Sequence, residues 1–179
     1  MKNTIHLITT VTAILTTSAM AQTSEKQVAL RWAADMRYVT AFRGNKMNVT
    51  ASKIGPDQLL TLIDANGGDL ADGDDVQIKY VRPDGNITYC WENGDAFART
   101  PKGTDPATHF KIKKTEKGIS LQTASGKFIA VPPGTKDLAY ADDAAKAVVL
   151  EVIENPTVES SEPKPAVSAT APAGGKAAE

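Results

Sequence analysis

The feature that most restricts this chain is one apolar pattern that recurs three times. The first copy opens with Val28-Ala29-Leu30-Arg31, the second with Val76-Gln77-Ile78-Lys79, the third with Ile119-Ser120-Leu121-Gln122. A short turn and a second run follow each opening: Met36 to Ala41, Gly85 to Cys90, and Gly126 to Val131. A glycine comes next in each copy (Gly44, Gly94, Gly134), then a third run at Met47 to Ala51, Ala96 to Thr100 and Leu138 to Asp142. The last run carries Leu60-x-Leu62, Phe110-x-Ile112 and Leu150-x-Val152. Apolar residues at every second position read as strands with one buried face. The unit is thus four strands repeated three times, with a period of about 40 to 50 residues.

Three units are too few to close a propeller, whereas three four-strand units close a β-trefoil. The expected fold is therefore all-β. The first and last strands of each unit line a barrel, and each middle pair forms a hairpin, the three hairpins capping one end. Val28, Leu30, Leu60, Leu62, Val76, Ile78, Phe110, Ile112, Ile119, Leu121, Leu150 and Val152 are the expected core. The repeats span about 26–64, 74–116 and 117–154, within one domain over 24–154.

The flanks have a different character. Lys2, an apolar stretch from Ile5 to Leu15 and the small residues of Ala19-Met20-Ala21 follow the order of a secretory signal peptide, predicted over residues 1–21. The apolar stretch is too short to span a bilayer as a mature helix. From 155 to 179 the chain is rich in Pro, Ala and Ser and has no aromatic residue, which predicts a disordered tail. The expected product is secreted or periplasmic, monomeric, and not inserted in a membrane after cleavage. Removing residues 1–21 leaves 19 basic and 21 acidic residues, a balance that offers no basic field for nucleic acid. Cys90 is the only cysteine, so no internal disulfide forms. It reads as a small buried apolar residue, with a dimer-forming thiol as the alternative.

The residues also resemble a known family. Val28-Ala29-Leu30-Arg31, Arg37-Tyr38-Val39-Thr40-Ala41, Val49-Thr50-Ala51 and Lys53-Ile54-Gly55-Pro56 resemble the fascin-like β-trefoil repeat, and Gly126-Lys127-Phe128-Ile129-Ala130 resembles its second strand. Where the family often has Trp-Glu and then Phe after the Gly-Pro turn, Asp57, Gln58 and Leu60 stand here, and the third unit lacks the turn over Asp142 to Lys146. The resemblance implies a fascin-like fold. Actin bundling belongs to cytosolic tandem trefoils and does not suit one exported domain; a glycan-binding accessory module does.

Reactive motifs are sparse. His109 is the one histidine outside the signal segment, and no nucleophile elbow, phosphate loop or zinc-binding helix accompanies it, so no catalysis and no cofactor is expected. The acidic stretch from Asp64 to Asp75 offers Asp64, Asn66, Asp69 and Asp72 as calcium ligands, against a plain turn-rich connector between repeats. The sharper candidate follows the second strand, where Phe42, Trp91 and Pro132 align before the repeat glycine. A flat ring beside amide and carboxylate groups suits a sugar. The expected site is Trp91, Glu92, Asn93 and Asp95 with Phe42, on a hairpin tip, for a glycan; the alternative is that Trp91 folds back over the cap. Trp32 and Tyr38 are expected in packing. The competing partner is an extracellular or envelope protein, bound as in an inhibitor-like trefoil.

Overall fold

A computed structural model describes residues 23–41, 46–94 and 96–159. The segment predicted as a signal peptide and most of the predicted tail lie outside them. Twelve strands occur in chain order: β1 (Ser24–Trp32), β2 (Arg37–Thr40), β3 (Asn48–Ala51), β4 (Leu60–Asp64), β5 (Asp75–Val81), β6 (Ile87–Asn93), β7 (Ala96–Thr100), β8 (His109–Thr115), β9 (Gly118–Thr123), β10 (Phe128–Ala130), β11 (Ala139–Ala141) and β12 (Leu150–Glu154). Every pairing between them is antiparallel.

Alternation decides which face each strand buries. In β4, Leu60, Leu62 and Asp64 are buried while Thr61 and Ile63 are only partly so. In β5, Val76, Ile78 and Tyr80 turn inward, and Leu62 lies opposite Ile78. Phe110, Ile112, Leu121 and Leu150 continue the same interior. Val152 packs against it only partly buried. A smaller cluster of Ala29, Tyr38 and Ile54 lies outside it.

The ladder closes on itself. The circuit β10-β11-β7-β6-β5-β4-β1-β12-β9 returns to β10 and makes a nine-strand antiparallel barrel. The remaining strands are extra: β8 lies between β5 and β9, and β2 and β3 extend from β1. This corrects the fascin-like β-trefoil expectation. That reading confined closure to the first and last strands of each unit and set the hairpins apart as a cap. Here β7 pairs β11 through Ala96 and Ala139, and β10 pairs β9 through Phe128 and Gln122, so closure runs through the hairpins. Their side chains fill the same core: Val39, Met47, Val49, Cys90, Phe97, Ile129 and Leu138 join the main cluster.

A single-turn 3-10 helix leads into β4, β8 and β12 (Pro56–Gln58, Pro106–Thr108, Ala144–Lys146). Gln58 Oε1 accepts from the Gly55 N–H at 2.8 Å; Asp105 and Asp143 accept from Ala107 and Ala145 N–H groups, both at 2.9 Å. The third turn forms without a Gly-Pro because Asp143 caps it, as Asp does at helix starts.

One glycine is fixed by contact. Gly118 has φ of +149°, and a Cβ there would lie 2.3 Å from the Leu150 carbonyl oxygen. Gly134, with φ of +77°, has open space. Gly118→Ala should therefore cost about 3 kcal/mol and Gly134→Ala about 1–2 kcal/mol. Urea unfolding of both variants checks this; equal losses would show that the β9–β12 approach is not the tighter constraint.

Candidate functional site

Three of the five expected site residues fall among the described residues. Phe42 and Asp95 lie outside the described residues. Trp91, Glu92 and Asn93 belong to β6 itself, with Trp91 opposite Ala98 and Glu92 opposite Phe97. Being strand neighbours, Trp91 and Glu92 point to opposite faces and do not converge on one ligand. Glu92 Oε1 accepts from Ser125 Oγ at 2.6 Å. Asn93 is exposed. The Trp91 ring is half-buried, and its Nε1 is enclosed without an acceptor among the described residues. The indole thus turns its polar edge into protein, away from any ligand in solvent. Tyr38 is buried and Trp32 packs partly buried against the core, with the Lys136 ammonium 5.7 Å from its ring centre.

A cleft sits beside the third hairpin instead. Its volume is about 580 Å³, and Val131, Pro132, Pro133, Tyr140, Asp142, Asp143 and Lys146 are among its walls. Tyr140 is held from two directions. Its ring meets Phe97 edge-on at 6.1 Å, and its Oη donates to the Trp91 carbonyl at 3.1 Å. Burial pushes the Tyr140 hydroxyl well above the usual phenol range, with Cys90 and Glu92 adding to the rise, so it stays protonated. The Pro132 carbonyl accepts from Thr135 through N–H (3.2 Å) and Oγ1 (3.0 Å), which fixes the tip of the turn. Asp142, Asp143 and Lys146 are exposed at the rim. One carboxylate oxygen of Asp143 is held by the Ala145 N–H, which orients the group. Sequence reasoning reached Pro132 through the repeat alignment but missed Tyr140. The available signal was the aromatic ring directly before the Ala141-Asp142-Asp143 run.

A second, smaller cleft of about 280 Å³ is lined by Gln27, Pro56, Leu59, Thr61, Val81 and Pro83. Val81 and its cross-strand partner Ile87 are half exposed, at 50% and 47%.

The calcium candidates divide. Asp64 and Asn66 meet, since Asp64 Oδ1 accepts the Asn66 N–H at 2.9 Å. Asp72 Oδ1 instead accepts the Lys114 N–H at 2.8 Å, and the Asp69 side chain stands fully in solvent, 3.9 Å from Lys26 Nζ. Among the described residues no three His, Cys, Asp or Glu side chains form a group able to hold a metal. His109 Nδ1 lies 2.5 Å from Asp75 Oδ1 at the start of β8.

No family model matches the chain, and no curated protein does. A solved structure from Caenorhabditis elegans, described as a protein with unknown function, is similar in fold. It is 9% identical, with a TM-score of 0.57, over 77% of this chain and 98% of that one. At that identity the likeness concerns the fold alone. Among the described residues no helix is long and apolar enough to cross a membrane.

The Cys90 thiol is enclosed in the core, and burial pushes it up to about 12. Burial, then the hydrogen bond to Asp57 at 2.7 Å, likewise raises Tyr80 to about 12. Both groups hold their protons more tightly folded than unfolded. Their stabilising contribution is complete below pH about 9 and is lost as pH climbs toward about 12. Urea midpoints should fall steadily above pH about 9, and Cys90→Ala should flatten part of that slope. The native thiol should also resist a disulfide exchange reagent at pH about 8 and react once in denaturant. Rapid native labelling would show an open path to Cys90.

Proposed function

We propose that this chain is an exported, non-catalytic binding module that takes a carbohydrate in the cleft beside the third hairpin. The observation that carries this reading is Tyr140, a ring whose hydroxyl is engaged by the Trp91 carbonyl and which lines a cleft rimmed by Asp142, Asp143 and Lys146. A sugar presents a CH face and a ring of hydroxyls. The first needs a flat apolar wall, here Tyr140 with Pro132 and Pro133; the second needs acceptors and a donor, here the two carboxylates, of which Asp143 is oriented by the Ala145 N–H, and the ammonium. The cleft volume falls within the ordinary range for small-ligand sites. The wall is pre-positioned, which reduces the ordering cost of binding.

A glycan array followed by titration calorimetry tests the proposal. Tyr140→Ala should weaken retention of a bound glycan at least about tenfold, while Tyr140→Phe, which keeps the ring, should stay within about threefold of the parent. Asp142→Ala should fall between. An array without a hit, or a Tyr140→Ala protein that binds like the parent, would remove the reading. The half-exposed apolar pair Val81 and Ile87 beside the smaller cleft favours a second reading, a protein partner on that face. Capture of a partner from envelope extract that Val81→Glu abolishes would move the assignment there.

A further inference from the structure

At the barrel end away from the three hairpins, two buried oxygens lack partners on facing strands. Ser24 of β1 lies directly opposite Asp64 of β4, so their side chains share a face. Asp64 is 2% exposed. Its Oδ1 is satisfied by Asn66, but Oδ2 is enclosed and accepts no hydrogen bond among the described residues. Ser24 Oγ is in the same condition. A carboxylate removed from water requires a compensating charge as well as hydrogen bonds.

The nearest ammonium, Lys26 Nζ, acts on Asp64 only through space and makes its short ion pairs elsewhere. Lys26, two residues along β1, places Nζ 3.1 Å from Glu154 and 3.9 Å from Asp69. Asp64 has no ion pair within 4.0 Å among the described residues. A second carboxylate is tied to the same asparagine: Asn66 Nδ2 donates to Asp74 Oδ1 at 3.2 Å, and the Ala71 N–H donates to Asp74 Oδ2 at 2.5 Å. Asp74 is itself 9% exposed. Asn66 thus bonds both buried acids, Asp64 through its N–H and Asp74 through Nδ2, while Ser24 faces Asp64 across the β1–β4 ladder.

We propose that Asp64 Oδ2 and Ser24 Oγ are ligands of a cation site, with Asp74 and Asn66 completing its oxygen shell. The donors are all hard oxygens, with neither imidazole nor thiolate, which selects against zinc and copper. A shell built partly from an irregular loop suits calcium, which accepts variable geometry, better than magnesium, which demands a near-ideal octahedron. Two carboxylates rather than three or four place the affinity in the weak class of extracellular modules, with Kd on the order of 10⁻⁴ to 10⁻³ M. The site serves the fold end, not the Tyr140 cleft, so it stands whether or not a glycan binds there.

Calcium titration of the full chain by calorimetry, together with amide NMR, tests this directly. The expected result is a Kd in that range, with shifts centred on the amides of 64–74, and magnesium at least about tenfold weaker. Asp64→Asn should weaken calcium at least about tenfold, whereas Asp69→Asn and Asp72→Asn should stay within about twofold, because those carboxylates point elsewhere. Should Asp64→Asn fail to fold, Asp74→Asn and Ser24→Ala carry the same comparison. Absence of heat and of amide shifts at about 10 mM calcium, or unchanged binding in Asp64→Asn, would overturn the assignment.

Discussion

Three main-chain hydrogen bonds join the hairpins into a closed triangle. The Met47 N–H donates to the Phe97 carbonyl at 3.0 Å, the Phe97 N–H to the Leu138 carbonyl at 3.2 Å, and the Leu138 N–H to the Met47 carbonyl at 2.9 Å. Met47, Phe97 and Leu138 come from the three repeats, and each is almost fully buried. Backbone groups in such a place must be paired, since an unpaired buried donor costs about 1–3 kcal/mol. The triangle pairs all three at once, and no hairpin can leave without orphaning groups on its two neighbours. It is also why the barrel closes through the hairpins. Lys46 bridges Ala98, Asn48 bridges Asp137, and Ala96 pairs Ala139, so each hairpin is stitched to the next.

From this joint the rest of the interior follows. Phe97 reaches from the triangle to Phe110, edge-on at 5.6 Å, and to Tyr140 on its other side at 6.1 Å. Phe110 belongs to β8 and Tyr140 to the cleft. One ring therefore links the barrel core, the hairpin joint and the wall of the candidate site. Edge-to-face pairs are worth about 0.5–1.5 kcal/mol beyond the area they bury, and here they also fix the direction in which Tyr140 faces. A chain without a disulfide can still hold a binding wall rigid in this way.

The alternation of Val28, Leu30, Leu62, Ile78, Phe110, Ile112 and Leu121 made the strands and most of the core legible in the sequence, because a period of two has only one reading when the apolar face must be buried. The manner of closure was not legible. It depends on hydrogen bonds between Met47, Phe97 and Leu138, residues about 40 to 50 positions apart that the pattern shows only as apolar. The placing of Trp91 was less legible for a related reason. Asn93-Gly94 is a strong turn signal, so Trp91 looked close to a tip, yet β6 runs unbroken to Asn93 and leaves Trp91 inside the ladder. Asp64 looked like one more turn acid; its burial follows only from its place opposite Ser24 and Val76.

The third unit breaks the repeat where its sequence does. In the second unit, β6 and β7 pair over five residues, from Tyr89–Thr100 to Asn93–Ala96. In the third, β10 and β11 pair over three, from Phe128–Ala141 to Ala130–Ala139. Pro132 and Pro133 follow closely on β10, and proline has no N–H to give a neighbouring strand, so the ladder cannot continue through them. The chain after Ala130 departs from β11 while Val148 and Ala147 pair back to Ile129 and Ala130 on the other side. The gap left between the departing prolines and the 3-10 turn at Ala144–Lys146 is the cleft. Two prolines suffice to turn one hairpin of the barrel into a concave surface.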